Sequence, residues 1–249
     1  MGLFSSLFSK SSRSDRPADL SALRCDVHSH FIPGIDDGAQ TMEDSLALLR
    51  SMSELGYSKV VTTPHVMSDA YRNTPEIILG GLEKVRARLK EERIALEIDA
   101  AAEYYLDFDF ERKIDGGGLL SFGNRFVLFE LSFMNPPDNL NNIIFKLITS
   151  GYRPVLAHPE RYTYWHNKFE QYEALVEKGT LLQLNIASLT GHYSLSTRKI
   201  AEQLIEKDMI SLLGSDCHHP GHISLIREAR YEKALHTVLE RGKLLNSSL

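Results

Sequence analysis

The chain has 249 residues, with 28 lysines and arginines against 33 aspartates and glutamates, a formal charge of -5 and 43% hydrophobic residues. A chain of that length buries roughly 70 to 75% of the surface it exposes when unfolded, enough for one α/β barrel. The absence of a basic block excludes a nucleic-acid footprint, two cysteines exclude a disulfide framework, and no apolar run reaches the roughly 18 residues of a membrane span.

Residues 1–20 are polar, include Pro17 and read as a loose arm. "MGLFSSLFSK" lacks the basic start, longer apolar stretch and cleavage site of a signal peptide, so the expected location is the cytoplasm. The same stretch fits the short myristoylation pattern M-G-x-x-x-[ST], and Leu3, Phe4, Leu7 and Phe8 would let it brush a membrane or a partner. Stable membrane insertion is not expected.

From there, short apolar runs alternate with longer amphipathic stretches, the pattern of βα units on a parallel sheet. Strands are expected at 23–30, 59–65, 96–103, 126–130, 154–158, 181–186 and 209–216. The clearest helix is "TMEDSLALLRSMSELG": Thr41 caps it, Asp44 lies three residues on, Leu46, Leu49 and Met52 form a stripe, and Gly56 ends it. Further helices are expected at 74–93, 139–150, 169–178, 196–207 and 223–241. Seven βα units without an internal repeat or linker give one domain over 21–249, a distorted TIM-like (β/α)7 barrel.

Active sites of such barrels lie at the carboxyl ends of the strands. Those ends carry His28 and His30, His65, Glu103, Glu130, His158, and Asp216 with His218. In "DVHSH" two histidines at i and i+2 share one face of a strand, and Asp216 and His218 repeat that spacing. A lone His65 or His158 is more often a hydrogen-bonded structural histidine, and Glu130 could simply mark where a strand meets water. The regular placement of all of them within successive βα units favours metal binding. A nitrogen and oxygen set without thiolate suits manganese, iron or zinc better than magnesium. His166, His192, His219 and His236 lie off the strand ends and read as surface or loop residues. Cys217, between two ligand candidates, should point to the opposite face.

"DVHSH", "PGIDDGA", "TTPH", "AAEYY", "LFELSF", "AHPERY" and "GSDCH" together resemble the polymerase and histidinol phosphatase (PHP) superfamily. Within it they are most similar to the bacterial capsule-operon tyrosine phosphatases of the CpsB, CapC and YwqE type. The resemblance implies the PHP fold and three divalent metal ions. His28, His30, Glu103 and Asp216 would hold one, Glu103, Glu130 and His158 a second with Glu103 bridging, and Asp37, His65 and His218 the third. Asp36 would cap the turn before Asp37. Four clustered carboxylates are costly to bury without cations, while three divalent ions leave a positive surplus suited to a phosphate dianion.

Neither cysteine is followed six residues later by the arginine of a cysteine-based phosphatase, since Cys25 leads to Phe31 and Cys217 to Ile223. The expected nucleophile is therefore a hydroxide bridging two metals. Arg161 in "HPER" matches the family's arginine and is the first candidate for a phosphate clamp, with Arg72 a weaker one. After the S-D-x-H motif the family's arginine is replaced by "HPGHIS", leaving His222 or Arg227 as substitutes. Tyr104, Tyr105, Tyr162 and Tyr164 stand beside ligand candidates and would either flank a substrate ring or pack the rim. The implied substrate is the tyrosine-rich tail of a bacterial polysaccharide-export kinase. The rival readings are a histidinol-phosphatase-like small-molecule phosphoesterase and a non-catalytic, metal-stabilised subunit that binds the kinase. Self-association into a homo-oligomer is left open by the sequence.

Overall fold

The structure, a computed structural model, describes residues 13–249. Its strands are β1 Cys25–Asp26, β2 Lys59–Thr62, β3 His65–Val66, β4 Glu97–Ala100, β5 Glu103–Tyr105, β6 Phe126–Glu130, β7 Arg153–Ala157, β8 Leu181–Asn185 and β9 Leu212–Gly214. All laddered neighbours are parallel, in the orders β1-β2-β4 and β3-β5-β6-β7-β8-β9. Two of the expected strands are each broken once. Pro64, which has no N–H to give the ladder, separates β2 from β3, and Ala101 with Ala102 separates β4 from β5. The ladder nevertheless runs across both breaks, because Ala101 N–H donates to Thr62 O at 2.9 Å and Glu103 N–H to Pro64 O at 3.1 Å.

The ring closes between the last strand and the first. Ser29 bridges Cys217 in parallel, Asp216 N–H donates to His28 O at 2.8 Å and His30 N–H to Cys217 O at 3.0 Å. Lower in the same seam β1 and β9 are joined by a side chain: Asn246 Nδ2 donates to the carbonyls of Cys25 and Leu213, and its Oδ1 accepts from Leu213 N–H. The seven-stranded parallel barrel expected from the alternation of apolar runs is thus the fold.

Helices α1 Met42–Glu54, α2 Pro75–Glu91, α3 Phe108–Gly116, α4 Leu140–Thr149, α5 Glu170–Glu177, α6 Leu195–Glu206, α7 Pro220–Ala229 and α8 Lys233–Glu240 surround the barrel. Thr41 and Asp44 form a reciprocal capping box on α1. The helix expected over 223–241 is two helices. The interruption at 230–232 lets Ser14 N–H donate to Tyr231 O and places Glu232, buried, against Arg198 at 2.7 Å. Helix α3 was not expected from its apolar pattern, since only Phe110 and Ile114 are buried, though Asp107 caps it and Gly117 ends it.

Of residues 1–20, set apart above as an arm, 13–20 lie against α7 and α8, with Ala18 and Leu20 buried. Leu3, Phe4, Leu7, Phe8 and the myristoylation pattern lie outside the described residues. The main core lies between helices and barrel. A smaller cluster, including Val27, Val61, Ala101, Leu128, Val155, Ala157 and Leu212, fills the ring itself. Alternation along the strands then puts Glu103 above Ala101 and Glu130 above Leu128, at the carboxyl rim.

Candidate active site

The residues named from the strand ends converge on that rim. Glu103 is the hub: Oε2 lies 3.2 Å from His28 Nε2, 3.6 Å from His30 Nε2 and 3.1 Å from His65 Nδ1, while Oε1 lies 3.1 Å from His158 Nε2. Asp216 Oδ1 stands 3.3 Å from His28 Nε2 and 3.5 Å from His30 Nε2. Glu130 reaches His65 Nδ1 at 3.3 Å and His158 Nε2 at 3.8 Å. Asp37 spans His65 and His218 at 3.5 and 3.4 Å.

Local backbone geometry aims these groups inward. His158 (φ 34°) and Asp216 (φ 48°) are both in the left-handed region, which costs a non-glycine residue roughly 1 to 3 kcal/mol. The loop of "DDG" curls back on His30, with Ala39 N–H donating to His30 O at 3.0 Å. Asp36 does cap this turn, accepting from Gly38 N–H at 3.0 Å, and it does more. Its Oδ2 accepts from His30 Nδ1 at 2.8 Å and from His65 N–H at 3.1 Å. His30 therefore keeps Nε2 for the site.

Burial acts to raise the Glu103 and Asp216 carboxyls, but neighbouring histidines outweigh it and hold both well below the usual range. Conversely, burial works against charge on His28 and His65, yet the carboxylates, Glu103 foremost, lift them to about 9 and about 10. The bond from His218, helped by nearby charge, brings Asp37 down to about 2.

A set of polar atoms here is buried without a hydrogen-bond partner: His28 Nε2, His30 Nε2, His65 Nδ1 and Glu103 Oε2. Orphaned buried donors and acceptors are rare, and these four face one another. Among the described residues the ligand-capable atoms fall into four overlapping groups, each within 4.8 Å: His30, Asp37, His65 and His218; His28, His30 and Glu103; His28, His158 and Asp216; and His65, Glu103 and Glu130. The donor set fits divalent cations. The grouping crosses the ligand sets implied by resemblance at three points: His30 joins Asp37, His65 and His218, His158 joins His28 and Asp216, and His65 joins Glu103 and Glu130.

Above the cluster opens a cavity of about 380 Å³. Arg161 lines it and donates from Nη1 to Asp216 Oδ2 at 3.1 Å. Its guanidinium lies between two rings, 4.6 Å from the centre of Phe133 and 4.3 Å from that of Tyr193. His222 also lines the cavity; its Nδ1 accepts from His218 N–H at 3.1 Å, and burial with neighbouring His219 brings its pKa down to about 4.

Other candidates lie elsewhere. Arg72 is outside this cavity: its Nε donates to Ser68 O, because the chain turns back at 68–72. Arg227 pairs with Glu54 on the surface. Tyr104 accepts from Leu120 N–H, Tyr162 is fully buried beneath Leu131 and Tyr164 donates to Ser132 O, so these tyrosines, with Tyr105, are outside the cavity lining. The aromatic lining comes instead from Tyr71, Phe133 and Tyr193, which stand on loops where periodicity carries no signal. His219, read as a loop residue, contributes to the lining as well. Two further residues were overlooked, Gln183 and Asn185 of β8, although polar residues two apart in an apolar strand are themselves a signal.

A parallel barrel with a cluster of histidines and carboxylates at its carboxyl rim defines a metal-dependent hydrolase class of fold and site. Residues 24–241 match the family described as "Capsular polysaccharide synthesis, CpsB/CapC", and the chain belongs to that family. It is 29% identical to the tyrosine-protein phosphatase YwqE of Bacillus subtilis over 195 residues, 78% of this chain and 77% of that one. It is 27% identical to the tyrosine-protein phosphatase CpsB of Streptococcus pneumoniae over 200 residues, 78% of this chain and 82% of that one. The crystal structures of YwqE and CpsB, described as metal-dependent tyrosine phosphatases, include one that superposes with a TM-score of 0.79 at 26% identity, covering 90% of each chain. Histidinol phosphate phosphatase of Lactococcus lactis shares the fold at a TM-score of 0.50 and 14% identity, over 83% of this chain and 94% of that one.

Proposed function

We propose that this chain is a metal-dependent protein-tyrosine phosphatase acting in the cytoplasm on the tyrosine-rich tail of a polysaccharide-biosynthesis kinase. The observation that carries the proposal is the orphaned quartet of His28, His30, His65 and Glu103 atoms beneath an arginine held between two rings. No helix among the described residues is long and apolar enough to cross a membrane.

His28, His30, Glu103 and Asp216 would hold one cation, Glu103, Glu130 and His158 a second, and Asp37, His65 and His218 a third, with manganese the favoured ion. Bound divalent cations supply Lewis acidity and a water acidic enough to attack phosphorus near neutral pH. Arg161 binds the phosphoryl oxygens. Its position is fixed before substrate arrives, because Asp216 accepts from Nη1 and the rings of Phe133 and Tyr193 both lie against the guanidinium. His222, neutral at pH 7, accepts a backbone hydrogen bond at Nδ1 and so carries its own proton on Nε2, as a donor to phosphate where the family resemblance implies an arginine. Phe133 and Tyr71 give the aryl group apolar walls. A phenolate, with a conjugate acid of pKa near 10, departs without a strong proton donor.

Elemental analysis of the purified protein beside parallel assays on a phosphotyrosyl peptide and histidinol phosphate tests the reading. Bound transition metal and preference for the peptide are expected. Preference for histidinol phosphate would make it a small-molecule phosphoesterase, and a His158→Ala protein that keeps full biological output would make it a binding subunit.

A further inference from the structure

With β2–β3 and β4–β5 each counted as one broken strand, β8 is, among the described residues, the strand whose end gives the site neither histidine nor carboxylate. It ends in two amides instead, Gln183 and Asn185, both fully buried and on one face of the strand. They form a hydrogen-bonded chain. Asn185 Nδ2 donates to Asp216 Oδ2 at 2.7 Å, Gln183 Nε2 donates to Asn185 Oδ1 at 3.0 Å, and Gln183 Oε1 lies 2.7 Å from His28 Nδ1.

We propose that Gln183 and Asn185 are positioning residues, a relay that reads the Asp216 carboxylate and fixes the proton of His28 on Nδ1, leaving a bare Nε2 aimed at the cation site. The inference rests on the cation-centre reading above. An amide has a donor end and an acceptor end, so the direction of the chain follows from its anchor. Asp216 Oδ2 already accepts from Arg161, so it faces the NH2 of Asn185. Asn185 then has only its oxygen for Gln183, which turns its own NH2 toward it. The Gln183 oxygen is left for His28, which has to offer Nδ1–H. Reversing any one amide would set two donors or two acceptors against each other in a dry interior.

Two observations support a built device. A Cβ on Gly214 would stand 2.5 Å from Gln183 Nε2 and 2.7 Å from His28 Cβ, so the floor beneath the relay has room for no side chain. His30, the other imidazole of the pair, has its Nδ1 held by a carboxylate, Asp36, at 2.8 Å. A second carboxylate behind His28 would crowd Glu103 and Asp216 further. A neutral amide fixes the same tautomer without that charge.

The test uses the full chain, stripped with a chelator and titrated with zinc against a chromophoric competitor, with 15N-histidine spectra of the zinc-loaded protein. Wild type is expected to show His28 protonated at Nδ1 and bound through Nε2. Gln183→Leu should lose about 10- to 100-fold in zinc affinity and give His28 signals from both tautomers. Gln183→Glu, which still accepts from Nδ1 but sets an oxygen against Asn185 Oδ1, should keep His28 protonated at Nδ1 alone even where its zinc affinity falls. If Gln183→Leu does not fold, Gln183→Glu decides alone through the His28 signals, a single Nδ1–H tautomer being expected. Wild-type affinity and His28 signals in Gln183→Leu, or His28 signals from both tautomers in Gln183→Glu, would overturn the relay alone. A wild-type protein that binds no zinc would overturn the cation centre with it.

Discussion

Gly38 lies so close to His30 that a Cβ would fall 2.1 Å from the His30 carbonyl oxygen and 2.4 Å from its Cβ. This contact lets the "DDG" loop bring Asp36 behind His30 and Asp37 in front of His65 and His218. Gly38→Ala has to push the loop away, since the atoms it meets are mainly backbone. Expected are a loss of about 1 to 3 kcal/mol in stability and a large loss of phosphatase activity, read from chemical denaturation and a phosphotyrosyl-peptide assay.

Glu103 touches four histidines, whereas Arg161 assists at one edge of the cluster. Replacing Arg161 with alanine removes charge-assisted bonds and should lower kcat/KM about 10- to 100-fold. Glu103→Ala should cost about 1,000-fold or more. Equal losses in the two variants would show that Glu103 is no hub.

Protons and cations compete for the same atoms. His28 and His65, raised to about 9 and about 10, stabilise the metal-free fold fully below their unfolded value near 6.5, and that contribution is lost as pH rises through 9 to 10. Asp37, lowered to about 2, contributes above its ordinary value near 3.8 and loses the contribution as pH falls toward 2. Chelator-stripped protein should therefore melt at lower temperature at pH 10 than at pH 7.5. The metal-loaded protein should be much flatter over that interval, and at pH 7.5 stripping should abolish turnover and lower the Tm together. Thermal melts with and without chelator check both statements.

Phe133 stacks on the Arg161 guanidinium and remains exposed toward the cavity. Phe133→Ala should raise KM for aryl phosphates about 3- to 10-fold, the worth of one aromatic contact, with little change for an alkyl phosphate. Parallel loss on both substrates would mean that the ring serves only to hold Arg161.

Arg72, bonded to Ser68 O and exposed, provides the opposite control. Arg72→Ala should leave kcat/KM within about twofold of wild type. A loss as large as that of Arg161→Ala would place it at the substrate after all.

The barrel and the residues at its rim were legible because parallel strands have one functional end, so position within each βα unit predicts location in space. His65 and Glu103 lie 38 residues apart in sequence and 3.1 Å apart in the fold for that reason. What periodicity misses is carried by loops and by polar residues inside strands. Tyr193 reaches Arg161 from the turn before α6, a contact no local pattern encodes. Gln183 and Asn185 looked like ordinary strand residues because their partners, His28 and Asp216, lie far from them along the chain. Helix α3 was missed because so short a segment has only two buried apolar positions.

The seam stitched by Asn246 has a consequence for biogenesis. His28 and His30 emerge early from a translating ribosome, while Asp216, His218 and the Asn246 splint emerge last. On the proposed cation-centre reading, a nascent barrel lacking its ninth strand would offer at most part of a coordination sphere, so ion loading and the onset of hydrolysis would wait until β9 is in place.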